Sequence, residues 1–193
     1  MCLSALLAAE RYQEILDLLA REENTIWAYR QWGVKALAAQ GKIDEAIDYA
    51  ESHDGGHFIA HLCEETLLAA GRSDEAYRRY ALEANRANSN LATYRAIAKK
   101  YPSKRSGEIL ADLIASTPGE EGKWFATAKD LRLYEQAIEL AQRSPCDPRT
   151  LTRAARDFAE KNPEFARQAG LAAFRWLAHG HGYEITGADV WAA

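Results

Sequence analysis

The stretch GKIDEAIDYA, residues 41–50, is answered by GRSDEAYRRYA, residues 71–81. Its Ala46 and Ala76 belong to a longer series of Ile15, Ala46, Ala76, Gly107, Ala137 and Ala166. Successive members lie 31, 30, 31, 30 and 29 residues apart. A near-constant period of this size marks a stack of repeats, each too small to bury its apolar face alone.

Each repeat reads as two helices. In residues 57–86, Ile59, Leu62, Cys63, Thr66, Leu67 and Ala70 recur at helical spacing and predict one buried stripe. Gly71 then ends the helix, Ser73 is placed to cap the next, and Ala76, Tyr77, Tyr80 and Ala81 face inward. Residues 25–53 repeat the plan with Ile26, Tyr29, Gly33 and Leu37, then Gly41, then Ile43, Ala46, Ile47 and Ala50. Proline just inside a capping residue predicts later helix starts at Thr117-Pro118, Asp147-Pro148 and Asn162-Pro163. Tyr101-Pro102 closes a helix, because proline disfavours helical geometry in the residue before it. About twelve helices and no strand are expected. A small residue at each repeat centre lets two helices cross closely.

With 193 residues, 48% hydrophobic and 27% charged, the chain has the composition of a folded soluble protein. Ala, Leu, Glu and Arg dominate, and these are helix formers. Three scattered cysteines without a CxxC pair suit a reduced, cytoplasmic protein. The opening MCLSALLAAERYQ lacks a basic start and reads as a helix, not a signal peptide. No apolar run is long enough to span a bilayer. Net charge is −7 over residues 1–71, +6 over 72–105 and −3 over 106–193. That profile can steer a charged partner toward the middle of the chain.

Gly41-x-x-Asp44-Glu45-Ala46 and Gly71-x-x-Asp74-Glu75-Ala76 resemble the second half of tetratricopeptide repeats, and Gly33 and Leu37 fall near that family's small and large first-helix positions. The period here is shorter than the family's, which is about 34. It is also similar to the helical hairpins of clathrin-type legs. The resemblance implies an all-α, right-handed α-α superhelix of about six hairpins, with residues 1–193 as one helical-repeat domain. It implies a scaffold that binds a peptide or protein partner in a groove of first helices. By register the groove residues are Gln31, Lys35, Phe58, His61, Glu65, Lys99, Lys100 and Lys129.

Other chemistry is weighed against that expectation. His57, His61 and Glu65 lie at i, i+4 and i+8, a spacing that can present two imidazoles and a carboxylate to a metal, with His53 just upstream. A solvated helix face has the same pattern and is the expectation, so no metal or other cofactor is assigned. His179-Gly180-His181-Gly182 is a second such motif, equally read as a loop after a helix end. Arg78, Arg79, Arg86, Arg95, Lys99, Lys100, Lys104 and Arg105 make a basic central segment, 78–105, that offers the alternative function of a nucleic-acid-associated module. Of five tryptophans, Trp27 and Trp32 lie on different sides of one helix, and one of them is a candidate interface anchor. No nucleophile–base order, phosphate loop or dinucleotide fingerprint is visible, and no enzyme is expected.

The ends read as open. Leu3, Leu6, Leu7, Val190 and Trp191 are expected on exposed end faces, the last two in a helix begun near Thr186. Solenoids need polar caps, so a longer parent protein or self-association through an end is expected.

Overall fold

Each second helix of a hairpin starts three residues before a buried small or aliphatic side chain. In the computed structural model, which describes residues 2–21 and 26–182, these helices are α2 (Tyr12–Ala20), α4 (Ile43–Glu51), α6 (Ser73–Ala84), α8 (Ser106–Ala115), α10 (Tyr134–Arg143) and α12 (Pro163–Ala178). The first helices are α1 (Leu3–Ala8), α3 (Trp27–Ala39), α5 (His57–Ala69), α7 (Asn90–Lys100), α9 (Phe125–Asp130) and α11 (Pro148–Phe158). A 3-10 turn, Glu121–Trp124, leads into α9. Among the described residues there is no strand, and the protein is all-α with consecutive helices packed in pairs. The chain forms two compact units, Met1–Arg86 and Ala87–Ala193, with α1–α6 in the first and α7–α12 in the second.

The central residue of the repeat is Ile15, Ala46, Ala76, Ile109, Ala137 and Ala166, each buried. The fourth member is therefore Ile109, not Gly107, and the spacings become 31, 30, 33, 28 and 29. Gly107 is exposed, and a Cβ there would meet nothing within 4 Å. It resembles the small residues of the other repeats only in size. The apolar stripe of α8 is Ile109, Leu110 and Leu113.

Three further expectations change. Ser73 is the first residue of α6 and makes no cap; Arg72 stands at the cap position. Thr117-Pro118 forms a turn, with Gly119 at φ +83°, and the chain becomes helical only from Glu121. Ile26 and Tyr29 are exposed, at 64% and 54%, because α3 buries the stripe Arg30, Gly33, Val34 and Leu37 instead. Asp147 and Asn162 do cap α11 and α12, and Tyr101 does end α7.

Gly41 and Gly71 turn the chain within the second and third hairpins at φ +76° and +74°, a region that penalises any Cβ. Gly33 matters for space. A Cβ there would lie 2.6 Å from the Tyr49 ring, so the ring of α4 occupies the space a larger residue on α3 would need. Leu6, expected on an exposed end face, is buried, and Leu3 and Leu7 are half-buried. Leu6, Ile15, Leu19 and Ala36 form one buried cluster, against which Leu3, Leu7 and Trp32 pack. Val190, Trp191 and the helix expected near Thr186 lie outside the described residues.

In the second unit three aromatic rings cluster around Phe165 beside the aliphatic core. Phe125 stacks on Phe165 with centroids 6.0 Å apart, and Tyr134 and Phe158 close on Phe165 at 5.0 and 5.1 Å. Trp176 is buried and donates to the Ala141 carbonyl at 2.6 Å, joining α12 to α10.

Candidate functional site

The expected groove residues of the first unit share a register. α3 begins at Trp27 and α5 at His57, so Gln31 and His61 are both fifth in their helices, and Lys35 and Glu65 both ninth. Phe58, His61 and Glu65 fall at i, i+3 and i+7, one face of α5. Lys35 and Glu65 line one open depression of about 330 Å³, with Ala38, Ile43, Thr66 and Ala69 around it. Lys35 is held from behind: its Nζ donates to Gln31 Oε1 at 3.3 Å and sits 4.7 Å from the centre of the Trp32 ring. His61 Nδ1 lies 3.6 Å from Glu65 Oε2. Phe58 is 68% exposed, the most exposed large apolar side chain among the described residues. Trp27 and Trp32 are half-buried.

Lys99, Lys100 and Lys129 belong to the second unit. Lys99 and Lys100 form the last turn of α7, where cations suit the helix dipole. The fifth and ninth places of α7 are taken by Tyr94, which is buried, and Ala98. Lys129 Nζ lies 6.0 Å from the Phe158 ring centre. So Gln31 with His61, and Lys35 with Glu65, occupy repeat-equivalent positions, with Phe58 on the same face of α5; Lys129 is likewise fifth in α9, whereas Lys99 and Lys100, tenth and eleventh in α7, fall in other registers.

The histidines face helix ends. His57 Nδ1 is 2.8 Å from the Glu83 carbonyl of α6, His53 Nδ1 is 2.7 Å from the Tyr49 carbonyl of α4, and His179 Nδ1 is 2.7 Å from the Arg175 carbonyl of α12. Each carbonyl lies in the last turn of its helix, and two have a further donor: Ser52 Oγ donates to the Tyr49 carbonyl at 2.8 Å and the His179 backbone N–H to the Arg175 carbonyl at 3.1 Å. His181 packs edge-on to Trp176 at 5.3 Å. Among the described residues no group of three His, Cys, Asp or Glu side chains is arranged to hold a metal ion.

Four arginines of the basic segment are engaged with carboxylates, and Arg78 Nε donates to the Asp74 backbone carbonyl at 3.3 Å. Arg79 pairs with Glu51 and Glu75, Arg86 with Glu83, Arg95 with Asp130, and Arg105 with Glu108. Much of the formal charge between 78 and 105 is thus matched locally.

Sequence reasoning missed an ion ladder on the second helices. Arg72 Nη1 meets Asp44 Oδ1 at 2.6 Å, and Arg79 Nη2 meets Glu51 Oε2 at 2.8 Å. Glu75 lies between the two guanidiniums, 2.6 Å from Arg72 and 3.0 Å from Arg79. The hydroxyl of Tyr80 donates to Glu51 at 2.6 Å and holds that carboxyl below its usual range, while burial pushes the Tyr80 phenol up. Both long rungs join residues 28 apart, just under one repeat, and that charge periodicity was the available signal. Glu64 was also missed. It is fully buried on α5 and accepts from Asn85 Nδ2 at 2.6 Å.

In the second unit a cavity of about 390 Å³ opens between α10 and α12, with Tyr134, Ile138 and Phe165 at its base and Glu135, Glu139 and Gln168 on its walls. Arg167 and then Gln168 hold the neighbouring Glu164 carboxyl down at about 2.

No helix among the described residues is long and apolar enough to cross a membrane. Compared with protein-family models, with curated proteins and with solved structures, the chain finds no match.

Proposed function

We propose that this chain is a cytoplasmic, non-enzymatic scaffold of tetratricopeptide-like hairpins in a right-handed superhelix. Its first-helix face, built from Gln31, Lys35, Phe58, His61 and Glu65, takes a peptide or protein partner. The observation that carries this reading is the shared register of α3 and α5. It brings Lys35 and Glu65 to one depression, on the face of α5 that holds Phe58 out into solvent. An apolar anchor within a polar rim is the composition of a binding hot spot. Opposite charges on neighbouring helices fix the direction in which a partner lies. Lys99, Lys100 and Lys129 are the second unit's candidates for contact with a partner.

The test is capture from source-cell lysate with the full chain, with and without nuclease, beside the variants Phe58→Ser and Lys35→Glu. A protein retained through nuclease, and reduced about tenfold by either substitution, supports the scaffold reading. Capture that vanishes with nuclease transfers the function to the 78–105 segment and nucleic acid. Capture indifferent to both substitutions removes the first-helix face from the proposal.

A further inference from the structure

At the same places in register, the second-helix pairs α4/α6 and α10/α12 carry different side chains. In the first unit two guanidiniums cross from α6 to α4. Arg72, at the N-cap of α6, reaches Asp44, second in α4; Arg79, seventh in α6, reaches Glu51, ninth in α4. The matching places on α10 and α12 are Glu135, second in α10, with Asn162 at the α12 N-cap, and Gln142, ninth in α10, with Ala169, seventh in α12. A carboxylate remains at the first rung, but neither arginine does. Where the first unit has guanidiniums, the second has the open cavity of about 390 Å³.

We propose that this cavity receives an arginine side chain from a partner polypeptide, supplying from outside the rung that Arg72 supplies within the first unit. Glu135 and Glu139, one turn apart, line it, and among the described residues neither has an ion-pair partner. Two carboxylates at i, i+4 repel each other, and a cation between them relieves that. No Lys or Arg is among the described residues lining the cavity. Glu164 is already satisfied by Arg167 and Gln168, each at 2.6 Å, so the incoming charge falls to Glu135 and Glu139. The base is aromatic, with Tyr134 and Phe165 centroids 5.0 Å apart. A planar guanidinium can pair with carboxylates through its fork of N–H donors and stack on such a ring, which an ammonium cannot do. The site lies on helices other than the first-helix face, and either proposal stands without the other.

The experiment is an NMR titration of the full chain with an end-blocked hexapeptide bearing two arginines among alanine and glycine, beside its lysine and citrulline counterparts. The expected result is amide shifts confined to α10 and α12, with the lysine and citrulline peptides at least about fivefold weaker. Glu135→Gln with Glu139→Gln weakens binding about tenfold. Asn162→Arg, which places the first unit's rung in cis, abolishes it, and Phe58→Ser leaves it unchanged. Absence of shifts at millimolar peptide, shifts mapping elsewhere, equal binding of the lysine peptide, or unchanged affinity in the double Gln variant would each overturn the proposal.

Discussion

Arg79 on α6 reaches back to Glu51 on α4, Nη2 to Oε2 at 2.8 Å, across 28 residues of sequence. The same carboxylate accepts the Tyr80 hydroxyl at 2.6 Å. One acidic residue at the end of α4 thus ties two consecutive side chains of the next second helix. Tyr80→Phe keeps the buried ring and removes only the charge-assisted bond. A loss of about 1 kcal/mol in urea unfolding is expected, because Glu51 is half-exposed and solvent screens it. In a double-mutant cycle with Glu51→Gln the two losses are less than additive. Strict additivity would mean that the two side chains do not work together.

The ladder also fixes the direction of acid sensitivity. Glu51 is held low by the Tyr80 hydrogen bond, Glu75 by Arg72, and Glu164 by Arg167, the last down to about 2. In the unfolded chain such carboxyls take up protons near pH 4.3, roughly the free value. Below that pH the unfolded state binds more protons than the folded one, so stability falls. The contribution is complete above the free value and is lost as pH drops through the folded values, toward about 2 for Glu164. Melting temperatures at neutral pH, pH 5 and pH 3 are expected to hold across the first step and drop across the second. Glu51→Gln flattens the second step.

Gly33 of α3 lies against the Tyr49 ring of α4. A Cβ at 33 would lie 2.6 Å from the ring, so Gly33→Ala moves Tyr49 or separates α3 from α4. Overpacking costs about 1–3 kcal/mol, against about 1 kcal/mol returned by helix propensity. A net loss is expected, with partial recovery in Gly33→Ala combined with Tyr49→Leu. Stability equal to the parent in the single variant would show that the ring gives way freely.

Gly107 and Gly122 are predicted to respond in opposite directions. Gly107 is exposed in α8 with open space around it, so Gly107→Ala raises stability by about 0.5 kcal/mol. Gly122 is buried, its N–H donates to Ser144 Oγ at 2.6 Å, and a Cβ would meet the Ser144 carbonyl at 2.5 Å and the Pro145 carbonyl closer still. Backbone cannot swing aside as a ring can. Gly122→Ala is expected to lose about 3 kcal/mol in the same unfolding experiment.

These two glycines show what the sequence made legible. Period and apolar spacing identified the helices and the hairpin plan, because a packed helix face imposes its 3.6-residue repeat on composition. They also placed Ala46, Ala76, Ala137 and Ala166 at buried centres. The fourth repeat was misaligned because Gly107 matched by size, whereas burial follows Ile109. Lys99 and Lys100, tenth and eleventh in α7, lie outside the register shared by Gln31, Lys35, His61 and Glu65. Gln31 with His61, and Lys35 with Glu65, share a register because α3 and α5 keep a 30-residue offset. The arginine ladder was not found, since apolar periodicity says nothing about charges on the opposite helix surface. Its sign was the 28-residue offset between acid and arginine.

The cysteines report on packing independently of any variant. Cys63 sits fully buried on α5, and burial pushes its thiol up to about 11. Burial likewise takes Cys146, at the loop before α11, to about 12. Cys2 is exposed, and hydrogen bonds with Ser4, Sγ to Oγ at 2.7 Å, lower its thiol from the usual value. Thiolate is the reactive form, so a disulfide reagent at pH 8 is expected to titrate one thiol at once in the folded protein. The other two of the three react only as fast as the chain opens, and all three react at once in strong denaturant. Because Cys63 and Cys146 lie in different units, following each by mass spectrometry gives the opening rate of its own unit. Equal rates would mean that both units open in one event, and unequal rates that they open separately. A second thiol reacting as fast as Cys2 would contradict the burial of that cysteine.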